Sequence, residues 1–415
     1  MTTIPKRKTR FLAAIALSWI ALAVILWVLV GTGAIERAPP TPIGPAGTDE
    51  VNVIPPRPDV ETHLQAAQGF VYEKLAREDG HVYLYHLVYP DSTFPDVTDT
   101  NSEATSYYLL WTAQHKDKAA FDNELSFIKR EMMHPTAHYM RWRIEENGSI
   151  ISDGGNIASD ADLRAIKALM IAEDTWGDAV YTETIDELAQ GLETVAITAD
   201  GYLAPYGGGD ERDPWIADET WLSYEDFVVT KELSERRGEP WVTLHRKMKN
   251  ASLGAQIHNG LFNSQLTQSR GYGNGIDGGV YSINSMWIMI RMAESDDPEL
   301  RAAAKRSLAF YKNKYQIDGQ IFATYGSNGD ALSPSDTPWG YALVGRAAAA
   351  LDDREFADAM MFKLTSMQVM DATSPINGAF LEGAGKDLRA GQFTIQESIL
   401  TMQEYLAMRE RLDLD

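Results

Sequence analysis

The sequence predicts an all-α fold: an (α/α)6 barrel of six helical hairpins, preceded by one N-terminal transmembrane helix. Three observations carry that expectation. Twelve helical patterns follow one another after the N-terminal region, and nothing reads as a long strand. Alternate helices start near 103, 159, 219, 281, 336 and 392, so successive starts lie 55 to 62 residues apart. Short gaps alternate with long Gly- and aromatic-rich loops, as tight antiparallel hairpins joined round a ring require. No sequence repeat is read alongside this spacing.

In chain order, residues 1–10 form a basic tail with Lys6, Arg7, Lys8 and Arg10. Residues 11–35 carry no charge between Arg10 and Glu36, and are long enough to cross a bilayer as an uncleaved signal anchor. The basic flank places the N-terminus in the cytoplasm and the rest of the chain outside, so the expected location is the cell membrane, with a single pass. Residues 36–58 hold Pro39, Pro40, Pro42, Pro45, Pro55, Pro56 and Pro58, and read as an extended spacer. The globular domain is expected over 59–415.

Its helices are expected at 60–77, 103–116, 119–133, 159–176, 178–195, 219–237, 239–256, 281–294, 297–314, 336–351, 354–370 and 392–411. The even-numbered ones follow long loops, which makes them the inner set, with their N-termini opening on one face where function is expected. Ser102 and Ser159 are plausible N-caps for the first two inner helices. In the second, Asp160 and Asp162 lie where the helix dipole favours negative charge, and Ala165, Ala168, Leu169 and Ala172 form a small apolar face.

Composition narrows the function. A net charge of −22 argues against nucleic acid as a partner. The absence of cysteine removes disulfides, thiolate metal sites and cysteine nucleophiles. Eight histidines include no His-Glu-x-x-His pair, no Gly-x-Ser-x-Gly elbow occurs, and the glycines from Gly271 lack the spacing of a phosphate loop. No metal or cofactor is implied.

Taken alone, Ser159-x-Asp is a capped core helix and Glu103 an ordinary first-turn acid. The whole string from Ala158-Ser-Asp-Ala-Asp162 through an alanine-rich turn to Trp176, fourteen positions after Asp162, resembles the signature of glycoside hydrolase family 8. Ala165 and Ile166 depart from its usual pattern. Ser102-Glu-Ala-Thr-Ser-Tyr107 is similar to the family's Ser-Glu-x-x-Ser-Tyr. The resemblance implies the same barrel, with Glu103 as proton donor, Asp160 beneath the distorted sugar, and substrate contacts at Tyr107, Tyr224 and Tyr281; Trp142, on a segment placed where the family lines its cleft, is read as a stacking platform, and Trp339 as a further substrate contact. Ten Trp and eighteen Tyr suit stacking on sugar rings, as they suit an aromatic core. Glu225 and Asp226 read as a solvated first turn, and Glu382, Asp387 and Glu397 as rim or capping charges. The departure that matters is Ser282, which stands where the family has its water-activating Asp. Asp277 and Asp336 are the two acids that could substitute.

The leading expectation is a membrane-anchored, extracytoplasmic hydrolase of a β-1,4-linked polysaccharide, working by inversion with two carboxyl groups. A catalytically inactive glycan-binding protein of an exopolysaccharide synthesis complex is the first alternative, and a polysaccharide lyase on the same barrel the second.

Overall fold

The computed structural model describes residues 59–94, 98–151, 155–210, 212–267, 271–274, 279–333 and 337–413. The expected tail, anchor and linker lie outside them. Among the described residues no helix is long and apolar enough to cross a membrane.

Twelve α-helices are described: α1 (Val60–Phe70), α2 (Ser102–His115), α3 (Lys118–Phe127), α4 (Ser159–Trp176), α5 (Ala179–Val195), α6 (Phe227–Arg237), α7 (Trp241–Gly254), α8 (Ser282–Glu294), α9 (Pro298–Asp318), α10 (Pro338–Ala350), α11 (Arg354–Ser366) and α12 (Gln392–Arg411). The even-numbered helices form the inner ring. Each packs on the next, and α12 returns to α2 and closes the circle. Five hairpins run inner to outer along the chain, while the sixth is assembled from its two ends, α12 with α1.

The two rings differ in composition because they differ in surroundings. Outer α5 buries Tyr181, Ile185, Leu188, Leu192 and Val195, a single stripe at helical spacing. Inner α2 is covered all round: from Ala104 to Ala113 every residue is buried. Such a helix needs small or polar groups wherever neighbouring backbones approach, which accounts for Ser106, Thr105 and Thr112 within it.

Long loops join the end of each outer helix to the next inner helix, and short antiparallel strands stitch neighbouring loops together at the rim. Thr100–Asn101 pairs with Arg143–Ile144, Ile157–Ala158 with Tyr206–Gly208, Thr220–Trp221 with Gln265–Leu266, and Gly279–Tyr281 with Thr324–Gly326. Arg389–Gly391 pairs with Tyr85–Leu87 and links the last loop to the first. In each pair one strand, Thr100–Asn101, Ile157–Ala158, Thr220–Trp221, Gly279–Tyr281 or Arg389–Gly391, ends where an inner helix begins or shortly before, so the rim pairing fixes those helix starts.

That pairing corrects two expected caps. Asn101, held in its strand, caps α2 by accepting the Ala104 N–H at 2.8 Å, and Ser102 is already helical. Ser159 is likewise the first residue of α4, and its hydroxyl donates to the Ala204 carbonyl at 2.8 Å in the neighbouring loop. The third inner helix starts at Phe227 rather than 219, because Thr220–Trp221 is strand and Leu222–Tyr224 a 3-10 turn.

A repeat does accompany the spacing. Asp79-Gly80, Asp200-Gly201, Asn259-Gly260, Asp318-Gly319 and Asn377-Gly378 each place a glycine at positive φ after an outer helix, and His138 takes that conformation in the second loop. Around five of these turns an isolated bridge folds the chain back, as in Ile197 with Leu203 and Gln256 with Phe262. The repeated requirement is a left-handed turn, which Asn or Asp followed by Gly satisfies at low cost.

Candidate active site

The inner helices bring Glu103 and Asp160, far apart in sequence, to the same end of the ring. Glu103 is the second residue of α2. Its neighbour Ser102 donates its N–H to the Trp142 carbonyl at 2.8 Å, and the Trp142 indole N–H donates to Glu103 Oε1 at 3.1 Å. Trp142 therefore holds the start of α2 with its backbone and the carboxyl group with its side chain. The loop bearing Trp142 is anchored from below, where buried Asp162 accepts the Met140 N–H at 3.0 Å. Burial holds the Asp162 carboxyl well above the usual range, as befits a structural group.

Asp160 occupies the first turn of α4. Its Oδ2 accepts from Arg164 Nη2 at 2.8 Å, one turn further on. Its Oδ1 is buried without a partner among the described residues. Burial pushes the Glu103 carboxyl up to about 7, the negative charge of Asp160 adds to that effect, and Arg164 and the Trp142 N–H oppose it. A carboxyl poised there is protonated for part of the population at neutral pH and can donate to a leaving oxygen.

Tyr224, in the turn before α6, lies close enough to Asp160 and Glu103 for both to raise its phenol further, after burial has already moved it well above the ordinary value. Trp221 meets it edge-on at 5.1 Å, and Trp221 also packs near Tyr206 at 6.3 Å. Trp339 stacks on Phe393 with centroids 6.2 Å apart. Tyr107, expected as a substrate contact, is enclosed by protein. It is 1% exposed, with Arg164 over its ring at 4.1 Å and Trp287 and Phe393 against it, so it belongs to the wall behind the site.

Asp277 and Asp336 lie outside the described residues, as does the side chain of Tyr281, whose backbone belongs to the strand Gly279–Tyr281. Ser282 opens α8. It is fully buried and its Oγ has no partner among the described residues.

Three acids expected at the surface are buried. Asp226 caps α6 through the N–H groups of Val228 and Val229 and pairs with Arg291 at 2.9 Å. Glu225 accepts the Thr230 hydroxyl, and burial raises its carboxyl to about 8. Glu397 pairs with Arg346 at 2.9 Å. Asp387 does cap the rim, accepting from Thr93 and Phe94 backbone N–H groups. The missed groups are the cations these acids answer. Lys167 bridges Asp226 and Glu294, and Arg346 bridges Glu294 and Glu397, so an ion network ties α4, α8, α10 and α12 together. The available signal was a lone Arg or Lys inside an apolar helix, as in Ile290-Arg-Met292 and Gly345-Arg-Ala347, which burial obliges to find an anion.

No curated relative matches the sequence. Residues 92–264 match the family described as Glycosyl hydrolases family 8. Among solved structures, a novel alpha-amylase from Clostridium perfringens is 22% identical with a TM-score of 0.72, the alignment covering 83% of this chain and 97% of that one. A beta-1,3-1,4-glucanase from Paenibacillus sp.X4 is 15% identical with a TM-score of 0.62, covering 84% and 91%. A family 8 xylanase from Teredinibacter turnerae, solved as a catalytic mutant with xylohexaose, is 15% identical with a TM-score of 0.59, covering 84% and 94%. At these identities the structural likeness is one of fold. The family match spans the segments that carry Glu103, Trp142, Asp160 and Tyr224, and over that stretch this chain is similar to the glycoside hydrolases of family 8.

Proposed function

We propose that the chain is an extracytoplasmic hydrolase, tethered through residues 11–35, that cleaves a β-1,4-linked polysaccharide with inversion. Glu103 protonates the leaving oxygen, Asp160 holds the hydroxyls of the distorted sugar, and Asp277 or Asp336 takes the proton of the attacking water. In that reaction the bond from the anomeric carbon to the leaving oxygen breaks as water adds from the opposite face. One proton leaves water for the base, and one leaves Glu103 for the aglycone. The observation that carries the reading is the Glu103 carboxyl, raised to about 7 beside Asp160 and held by the Trp142 N–H. Trp142 and Trp339 are the proposed stacking platforms, with Tyr224 and Tyr281 as further substrate contacts.

The burial of Ser282 favours one second reading, in which the barrel binds glycan near an exopolysaccharide synthesis complex without cutting it. Reducing-end release from barley β-glucan, xylan, chitosan and starch separates the two. Starch enters the panel because an alpha-amylase shares the fold. Release from a β-1,4-linked polymer, with the product's anomeric configuration inverted, supports the proposal. Retention of a polymer on affinity gels with no release from any of them supports the binding reading, and release from starch alone overturns the β-linkage.

A further inference from the structure

We propose that Arg164 is a positioning residue of this centre: it clamps the Asp160 carboxylate to α2 and sets its own positive charge against the negative charge of that carboxylate beside Glu103. The inference rests on the hydrolytic reading of Glu103. Arg164 is 3% exposed. Nη2 donates to Asp160 Oδ2 at 2.8 Å and Nη1 to Ser106 Oγ at 3.0 Å. Ser106 in turn donates to the Glu103 carbonyl at 3.1 Å. The guanidinium covers the Tyr107 ring at 4.1 Å and lies 5.9 Å from that of Trp287. One planar cation thus touches α2, α4 and α8 and joins the backbone of the proposed acid to the side chain of its partner. An ammonium, a point charge on a flexible stem, cannot hold Ser106 and Asp160 in that fork. The clamp occupies one oxygen of Asp160 and leaves Oδ1 as the acceptor without a protein partner.

Among the described residues, the groups facing this cluster are Glu103 and Tyr107 from α2, Asp160 on its own helix, Tyr224 from the turn before α6, and Arg291 beside Trp287 on α8. A neutral residue at 164 therefore removes a positive charge that acts on Glu103.

The test needs no substrate, so it stands or fails separately from hydrolysis. The Glu103 carboxyl is titrated by carbon-13 NMR in the full-length chain, assigned with Glu103→Gln, in wild type, Arg164→Lys and Arg164→Gln. The expected result is a midpoint kept in Arg164→Lys and raised by about one pH unit in Arg164→Gln. Asp160→Asn is expected to lower the midpoint, and the double variant Asp160→Asn with Arg164→Gln to bring it back up. That second comparison uses an uncharged pair and serves if Arg164→Gln alone does not fold. A Glu103 midpoint unmoved by loss of the guanidinium, in both backgrounds, would make Arg164 a packing residue and overturn the proposal.

Discussion

Replacing Trp142 by Phe removes one hydrogen bond to Glu103 while keeping an aromatic face, and the outcome separates two roles for this residue. The bond runs from the indole N–H to Oε1 at 3.1 Å and favours the ionised carboxyl. A hydrogen bond to a charged group contributes about 1.5 to 3 kcal/mol, and the half-buried setting argues for the lower end. At roughly 1.4 kcal/mol per pH unit, losing it raises Glu103 by about one unit, from about 7 towards about 8. The proposed acid works only when protonated, so activity falls as pH rises through that value. The alkaline limb of the kcat profile therefore moves upward in Trp142→Phe. At pH near 7.5 the protonated fraction grows from roughly a quarter to roughly three quarters, about a threefold gain relative to each enzyme's own plateau. The assay is reducing-end release between pH 5 and 9 on the polymer that wild type cuts. A limb that stays in place while KM rises would mean that Trp142 only stacks on sugar, and would refute the link between this N–H and the acidity of Glu103.

Two further expectations concern stability. Glu124 on α3 is buried and its carboxyl is held well above 4.5, so the folded state carries a proton that the unfolded state releases. Its contribution is complete below pH 4.5 and declines as pH rises towards the folded value. Glu124→Gln should accordingly raise Tm at pH 8 and change it little at pH 4, and equal shifts at both would contradict the assignment. Gly378 and Gly177 both have positive φ, but a Cβ at Gly378 would lie 1.9 Å from the Ala66 carbonyl, whereas one at Gly177 meets open space. Urea unfolding should show Gly177→Ala losing about 1 kcal/mol and Gly378→Ala clearly more, and a similar loss for both would remove the packing argument.

Much of this fold can be read from spacing, because a ring of hairpins imposes one period on the chain, and α4 and α12 begin and end where helical pattern alone puts them. The helix starts that moved are those set by contacts distant in sequence: Asn101 replaces Ser102 as cap because Arg143 pairs with it, and Phe227 opens α6 because Thr220 is paired to Leu266. The Asp-Gly and Asn-Gly turns escaped notice for another reason. What recurs is a backbone conformation, so only two residues of each unit are constrained, and His138 meets the same demand without a glycine. At the site, Glu103 and Asp160 are legible because their neighbours on the same helix mark them. The buried cations are not, since each answers an acid on another helix: Arg291 meets Asp226, and Arg346 meets Glu397. Burial of Glu225 and Asp226 follows from the same cause, since nothing adjacent in sequence announces the helix that covers them.

The central claim is that Glu103 supplies the proton that breaks the glycosidic bond, and reducing-end release by Glu103→Gln measures it most directly. Gln keeps the shape and can still meet the Trp142 N–H, yet has no proton to give at neutral pH. The expected result is a fall of about two to four orders of magnitude in kcat with a folded chain and little change in KM. Turnover within a factor of about ten of wild type would contradict the claim, because general acid catalysis of that size could not then reside at Glu103.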